Sequence, residues 1–222
     1  MTLLDIQNVS KVYKISKDYT VFGNEIRALD DISFSIKNGE LIVVIGPSAA
    51  GKTILAKILA GEEVPTTGCV LLNGKDIHSH SDRELLIGMF NQEDILPKRK
   101  KVKDLLIGSN KKIFKEKINL EKRIAEISHL LNLNEVLNYK IKDLRYFEKQ
   151  IVKLADYLIR GIKILVLDDP TAYLEKIDTQ KFLQLLIEIQ KKEKLTILLF
   201  TSKQDLADYA SRVLHLKEGR IQ

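Results

Sequence analysis

An eight-residue stretch at residues 46–53, GPSAAGKT, limits what this chain can fold into more than any other part of the sequence. It fits the pattern G-x-x-x-x-G-K-[ST]. In this pattern the glycines turn the backbone so that its N–H groups converge on an anion, the lysine adds a positive charge, and the last hydroxyl can bind Mg²⁺. The stretch therefore predicts binding of a nucleoside triphosphate together with magnesium.

The residues on either side of this loop have the pattern that such a site needs. Residues 41–45, LIVVI, read as a buried strand, and residues 54–61, ILAKILAG, read as a helix that ends at a glycine. This order places the phosphates at a helix N-terminus, where the helix dipole favours anions. The residues expected to contact the nucleotide are Gly46, Pro47, Ser48, Ala49, Ala50, Gly51, Lys52, Thr53 and Ile54.

The composition indicates an ordinary α/β protein. A chain of 222 residues with 45% hydrophobic residues can bury a substantial core. Its one cysteine, Cys69, excludes an internal disulfide and makes a cysteine metal site a poor expectation. The longest apolar runs are too short to span a bilayer, and the first residues lack the pattern of a signal peptide. We therefore expect the protein in the cytosol.

Strand patterns alternate with helical patterns along most of the chain. This order predicts an α/β fold with a P-loop core and mostly parallel sheet, an N-terminal antiparallel β-subdomain and a helical insertion. From about Glu84 to Asn138 the spacing of Leu and Ile favours helices. We expect one domain over residues 1–222, with its α/β core at about 1–89 and 159–222 and its helical part at about 90–158. The expected strands are residues 3–13, 28–36, 41–45, 69–72, 162–167, 195–200 and 213–216.

The net charge of +6 is concentrated in one segment. Residues 98–123 contain eleven Lys or Arg and three acids. Two interpretations remain open: a solvated lysine-rich face, or a surface that faces anionic lipid headgroups or an acidic partner. Binding to nucleic acid is not expected, because no aromatic residues interleave these lysines to stack on bases.

A second motif supplies the acid that a magnesium–nucleotide site requires. In ILVLDDPT, residues 164–171, an apolar strand is followed at once by Asp168 and Asp169. An acid in this position lies at the carboxyl edge of the sheet, beside the phosphate loop. We expect Asp168 and Thr53 to bind Mg²⁺.

Together the two motifs resemble those of the ATP-binding subunit of ABC transporters, and the resemblance covers the whole chain. It implies that Tyr13 stacks on adenine and that Gln92, in MFNQED, binds magnesium, senses the γ-phosphate and faces a membrane subunit. The ending RVLHLKEGRIQ also resembles the closing hairpin of the family. Within the family, the chain is most similar to the subgroup that serves macrolide export, lipoprotein release and peptide-antibiotic resistance. The features that indicate this subgroup are the spacing around Tyr13, the segment ALDDISFSIKNGE and the short length.

The sequence departs from the family at its signature loop, LSGGQ or LSGGE. By position the loop is Leu144-Arg145-Tyr146-Phe147-Glu148 here. In the family the serine hydroxyl and the glycine N–H groups contact the γ-phosphate held by the opposite subunit. Tyr146 and Phe147 place side chains where only backbone should approach the anion. Arg145 offers charge, but not the same set of short donors.

By resemblance the catalytic residues are Asp169, Gln92 and Ser202, and two of them, Asp169 and Ser202, depart from the family. Asp169 replaces a glutamate that polarises water and is shorter by one methylene, roughly 1.5 Å. Ser202 replaces the switch histidine, and Ala49 stands where many members have glycine. The loop at residues 172–175, normally S-A-L-D, is AYLE. The four histidines, His78, His80, His129 and His215, lie elsewhere and are read as ordinary surface or core residues.

The resemblance implies an ATP-binding subunit that binds Mg–ATP, dimerises and drives a membrane permease from the inner face of the cell membrane. The departures predict slow or impaired hydrolysis, in a homodimer or a heterodimer alike. One alternative is a regulatory module that binds ATP without productive hydrolysis and controls a membrane partner. A third interpretation is a protein that acts on nucleic acid or ribosomes. The lack of a tandem second domain or a long insertion argues against it.

Overall fold

The computed structural model describes residues 2–14, 25–80, 83–91 and 95–222. The chain divides into two compact units. The first comprises residues 1–89, 163–169 and 189–222, and the second comprises residues 90–162 and 170–188. The phosphate loop and the two acids belong to the first unit, and the residues at the signature position belong to the second.

One sheet of the first unit is antiparallel. Its order is β2-β1-β4-β5, with β1 at Thr2–Lys14, β2 at Glu25–Lys37, β4 at Thr67–Leu72 and β5 at Lys75–Asp76. Asn73 and Gly74 join β4 to β5 with φ angles of 51° and 81°. These left-handed conformations suit a two-residue hairpin and explain why the dipeptide Asn-Gly occurs there. The N-terminal antiparallel subdomain is therefore confirmed.

The second sheet is mostly parallel and has the order β10-β9-β3-β8-β7-β6. In it β3 pairs in parallel with β8 and β9, and β7 pairs in parallel with β8. Every residue of β3, β7 and β8 is buried, which explains why these strands read as continuous apolar runs. The expected α/β fold is confirmed. The strands are β3 (Leu41–Ile45), β6 (Ile87–Phe90), β7 (Ile164–Asp168), β8 (Thr196–Thr201), β9 (Arg212–Lys217) and β10 (Arg220–Ile221).

The strand β6 corrects the expectation that helices begin at about Glu84. Ile87, Gly88, Met89 and Phe90 form a strand in which all four residues are buried. A run this short has no room for either the helical or the alternating period, so its sequence cannot distinguish a strand from a buried helix. Its place beside β7 in the sheet settles the conformation.

Six α-helices lie in the described residues. In α4 (Lys117–Leu130) the helical spacing of Leu and Ile is confirmed, since Leu120, Ile124 and Ile127 are at most 4% exposed. No helix in the described part of the chain is long and apolar enough to cross a membrane. The helices are α1 (Lys52–Ala60), α2 (Arg83–Leu86), α3 (Val102–Asn110), α4 (Lys117–Leu130), α5 (Tyr146–Arg160) and α6 (Lys176–Glu193).

We predict that Phe182→Ala on α6 destabilises the protein by about 3–5 kcal/mol, because the removed ring leaves a cavity. Phe182 is fully buried, and its ring centroid lies 6.3 Å from that of Phe90. Ile177→Ala on the same helix is the matched control, since Ile177 is 65% exposed and its loss should cost within about 0.5 kcal/mol. Urea unfolding followed by circular dichroism measures both. Equal losses would contradict this packing.

Candidate nucleotide-binding site

Three neighbouring strands of the parallel sheet end side by side at the site. Ile45 at the end of β3 pairs with Thr201 at the end of β8, and Asp168 at the end of β7 pairs with Phe200. The Gly46 N–H donates to the Thr201 carbonyl at 3.1 Å. The phosphate loop, the two acids and Ser202 therefore follow adjacent strands at one carboxyl edge, where open α/β sheets bind ligands.

Steric contact fixes both glycines of the phosphate loop. A Cβ on Gly46 would lie 2.3 Å from the Leu216 carbonyl oxygen, and one on Gly51 would lie 2.6 Å from that of Ala28. Gly51 also has a φ of 101°, which side chains disfavour. Ala49 has a φ of 62°, so the alanine occupies a left-handed conformation that a glycine would adopt without strain. Pro47 and Ser48 are exposed, Ala50 is buried and Ile54 is half-buried.

Lys52 lies across the phosphate loop. Its ammonium donates to the Gly46 carbonyl at 2.9 Å and to the Pro47 carbonyl at 2.8 Å. An ammonium has three donors, so one remains to meet a phosphate oxygen. Lys52 also begins α1, whose N-cap is Gly51 and whose first turn contains no acid. The backbone N–H groups of this turn and the helix dipole therefore favour an anion in the same place.

Thr53 and Asp168 meet beside the loop. The Thr53 side chain lies close enough to the Asp168 carboxylate to favour its ionised form, and Asp168 is only 9% exposed. Burial raises the pKa of Asp168 above 3.8, and the negative charge of Asp169 raises it further. The Thr53 side chain and the charges of Lys52 and Lys57 act in the opposite direction but do not cancel the rise.

This pair suits a bound magnesium ion. Mg²⁺ prefers oxygen ligands and usually takes one or two protein groups, with phosphate oxygens and water completing its shell. A hydroxyl and a carboxylate already in contact supply such ligands. The raised pKa of Asp168 also means that its negative charge lacks full compensation in the protein alone, and a cation would provide it.

Asp169 contacts a residue that the sequence did not single out. The buried Thr201 hydroxyl donates to the Asp169 carboxylate at 3.4 Å and accepts from the Lys203 N–H at 3.1 Å. Asp169 has a φ of 44° and precedes Pro170, which makes this conformation costly. The only sequence signal for Thr201 is a polar residue at the end of an apolar strand.

The remaining site residues differ in what the structure shows of them. Ser202 is exposed directly after β8, at the same sheet edge as the phosphate loop. Tyr13 lies near the end of β1 with 38% of its surface exposed, and the Lys11 ammonium lies 5.1 Å from its ring centroid. Gln92, predicted to sense the γ-phosphate and magnesium, lies outside the described residues.

The residues at the signature position form the start of α5 in the second unit. The Glu148 carboxylate accepts from the Arg145 backbone N–H at 2.8 Å and from its guanidinium at 2.9 Å. Burial acts to raise the pKa of Glu148, but these hydrogen bonds and the nearby positive charges lower it overall. The hydrogen bond to Glu148 raises the pKa of Arg145. The charge that Arg145 could offer to a phosphate is therefore already engaged.

Aromatic side chains occupy the surface beside this helix start. The rings of Tyr146 and Tyr173 meet edge to face, with centroids 5.9 Å apart and an interplanar angle of 88°. Tyr146 is 38% exposed and Tyr173 is 71% exposed. Tyr173 belongs to the AYLE loop, so this contact joins two of the positions that depart from the family pattern.

Comparisons with known proteins agree with these motifs. The family model of the ABC transporter matches residues 29–172. The chain is 32% identical, over its full length, to the glucose import ATP-binding protein GlcV of Saccharolobus solfataricus, and spans 62% of that protein. It is 31% identical, over 99% of its length, to an uncharacterized ABC transporter ATP-binding protein, MJ0412, of Methanocaldococcus jannaschii, and spans 80% of it.

Two further proteins extend the comparison. The chain is 27% identical, over 99% of its length, to the macrolide export ATP-binding/permease protein MacB of Chlorobaculum tepidum, of which it spans 33%. The dimeric structure of MJ0796, a bacterial ABC transporter cassette, superposes with a TM-score of 0.83 and 24% identity, covering 99% of this chain and 97% of that one. The likeness to MJ0796 shows the fold.

We predict that Asp168→Asn stabilises the ligand-free protein at neutral pH while weakening its Mg–nucleotide affinity. The folded-state pKa of Asp168 is raised above 3.8, so the buried carboxyl lowers the stability increasingly as the pH rises from 3.8, and the full cost is reached above the folded pKa. The advantage of the variant should shrink as the pH falls through the folded pKa toward 3.8. Urea unfolding across this range measures it. An advantage independent of pH would contradict the assignment.

Proposed function

The chain belongs to the ABC transporter family, and on that premise we propose that it is an ATP-binding subunit that binds Mg–ATP and dimerises to drive a membrane permease, with slow hydrolysis. The single observation that carries the proposal is the contact between Thr53 and Asp168 beside the Lys52 ammonium. It combines the expected magnesium ligands, Thr53 and Asp168, with the positive charge of Lys52 that would bind phosphate. We call these three residues the magnesium–phosphate cradle. The residues that should act on the γ-phosphate have changed, while this cradle is intact in composition.

Each residue of the cradle has a separate task in binding. The N–H groups at the start of α1 and the Lys52 ammonium orient the phosphates and balance their charge. Thr53 and Asp168 bind the magnesium ion, which when bound neutralises charge on the β- and γ-phosphates. Tyr13 offers an exposed ring on which adenine can stack, worth roughly 1–3 kcal/mol by analogy with base stacking. Gln92 keeps its proposed role as a magnesium and γ-phosphate ligand.

Hydrolysis is slow because three groups are poorly suited to it. Asp169 is one methylene shorter than the glutamate of the family, and its carboxylate already accepts from Thr201. A misplacement of about 1 Å can lower a rate about 100-fold. Ser202 has no proton-accepting ring to contact the γ-phosphate. Tyr146 and Phe147 replace the glycines whose backbone would contact the phosphate of an opposite subunit.

The proposed partners are a second ATP-binding subunit, identical or not, and a membrane permease. The dimer of MJ0796 and the joined ATP-binding and permease parts of MacB support both. On this proposal the protein is cytoplasmic and peripheral on the inner face of the cell membrane. The export and lipoprotein-release subgroup, which the segments around Tyr13 and residues 28–40 indicated, stays a prediction, since MacB is 27% identical and the import protein GlcV is 32% identical.

A second candidate function is a nucleotide-gated regulatory module. In that case ATP closes the dimer and controls a membrane partner without productive turnover. The observation that favours it is the ion pair between Arg145 and Glu148, because Glu148 neutralises the one positive charge at the signature position.

We predict that restoring the family residues raises ATP turnover. Asp169→Glu with Ser202→His should raise it about 10-fold, and adding Arg145→Ser, Tyr146→Gly and Phe147→Gly should bring the gain to the order of 10²-fold, within what general-base catalysis contributes. Phosphate release measures the rate. The matched control makes the same two exchanges at exposed sites, Asp205→Glu with Ser109→His, and should change nothing. Unchanged turnover in the restored variant would contradict the explanation.

We predict that a driving subunit and a regulatory module respond differently to two substitutions. Lys52→Ala should abolish ATP binding and any cellular function, because it removes the charge in the loop. Asp169→Asn should leave binding intact and still abolish function if hydrolysis drives transport. Complementation of a strain lacking the protein, with ATP affinity measured in parallel, separates the two. Full complementation by Asp169→Asn would favour the regulatory module over our proposal.

A further inference from the structure

A cavity of about 420 Å³ lies in the second unit, beside the start of α5. This volume falls within the range of about 300–1,000 Å³ that small-molecule sites occupy. Four lysines from three segments line it, and no acid does so among the described residues. They are Lys98, Lys142, Lys149 and Lys153.

The first turns of α5 build one wall of this cavity. Tyr146, Lys149, Gln150 and Lys153 follow the spacing that places side chains on one helical face. Lys153 is only 7% exposed, and its ammonium donates to the Asn91 carbonyl at 3.4 Å. Lys153 is therefore a fixed charge, whereas Lys98 and Lys142 at the rim are exposed.

Gln150 provides a polar group for a ligand. It is 2% exposed, and its Oε1 atom is buried with no hydrogen-bond partner among the described residues. Its side chain also lies near the Tyr146 hydroxyl, whose pKa it acts to lower, although burial raises that pKa overall. A buried carbonyl oxygen without a donor costs about 1–3 kcal/mol in general, so a ligand that brings an O–H or N–H group gains that interaction.

We propose that this cavity binds a small phosphate ester that carries at least two phosphate groups and a hydroxyl or amino donor. The lysines would neutralise the phosphates, Gln150 Oε1 would accept from the donor, and the Tyr146 ring would cover the apolar side of the ligand. Lysine acts as a point charge that suits phosphate, whereas planar carboxylates are matched best by arginine, and no arginine lines the cavity. The lining thus favours phosphate over an acidic peptide.

The test is a calorimetric titration with fructose 1,6-bisphosphate, which has two phosphates and several hydroxyls. We expect saturable one-site binding that weakens as salt rises, and that survives Lys52→Ala because the phosphate loop is a different site. Lys142→Gln with Lys149→Gln should weaken the affinity on the order of 100-fold, about tenfold for each charged hydrogen bond removed. Fructose 6-phosphate should bind more weakly.

The matched control is Lys191→Gln with Lys192→Gln, which changes the net charge equally at exposed positions on α6 and should leave binding intact. Pelleting with vesicles containing phosphatidylinositol 4,5-bisphosphate, against phosphatidylcholine alone, decides whether the phosphates come from a lipid headgroup or a free molecule. Loss of binding in Lys52→Ala would overturn the proposal, as would equal losses in both double variants. Binding of a glutamate-rich peptide but of neither phosphate source would also overturn it.

Discussion

The close approach of the Thr53 side chain to the buried Asp168 carboxylate is the interaction on which the site depends. It links the first turn of α1 to the end of β7, and each of these two elements contains part of one of the two motifs. Both partners are placed by the parallel sheet, because β3 and β7 flank β8 and end at the same edge. A carboxylate there is buried and costly, as the raised pKa of Asp168 shows, and it becomes favourable when a cation joins it.

The same sheet edge explains why binding and hydrolysis can separate in this chain. Binding relies on short-range features of the first unit: the glycines that allow the loop to turn, the Lys52 ammonium, and the Thr53–Asp168 pair. On our proposal, hydrolysis relies on the groups that act on the γ-phosphate, and these differ from the family pattern. Asp169 is short and contacts Thr201, while Arg145 pairs with Glu148. On this proposal the chain is better suited to holding a nucleotide than to turning it over.

Much of the fold could be read from the sequence because the signals were local. The phosphate loop fixed a strand, a turn and a helix in order, and the continuous apolar runs identified β3, β7 and β8. The strand β6 was not predicted from the sequence, because four apolar residues are too few to show a helical or an alternating period. Only their pairing with the sheet decides their conformation. The spacing of Leu and Ile therefore predicted a helical stretch after Glu84 that begins too early, because it includes the residues of β6.

The residues of the candidate site also differ in whether a local sequence signal points to them. Thr53, Asp168 and Lys52 could be proposed from the sequence because spacing within two motifs points to them, and their roles stay predictions. Thr201 and the Arg145–Glu148 pair were not, because each acts through a contact that only the folded chain creates. The most direct test is to saturate the protein with Mg–ATP, remove free nucleotide on a desalting column and identify what remains bound over time. Our account predicts retained nucleotide that is still largely ATP after many minutes. Absence of retained nucleotide, or turnover at about 10 per second or faster, would contradict it.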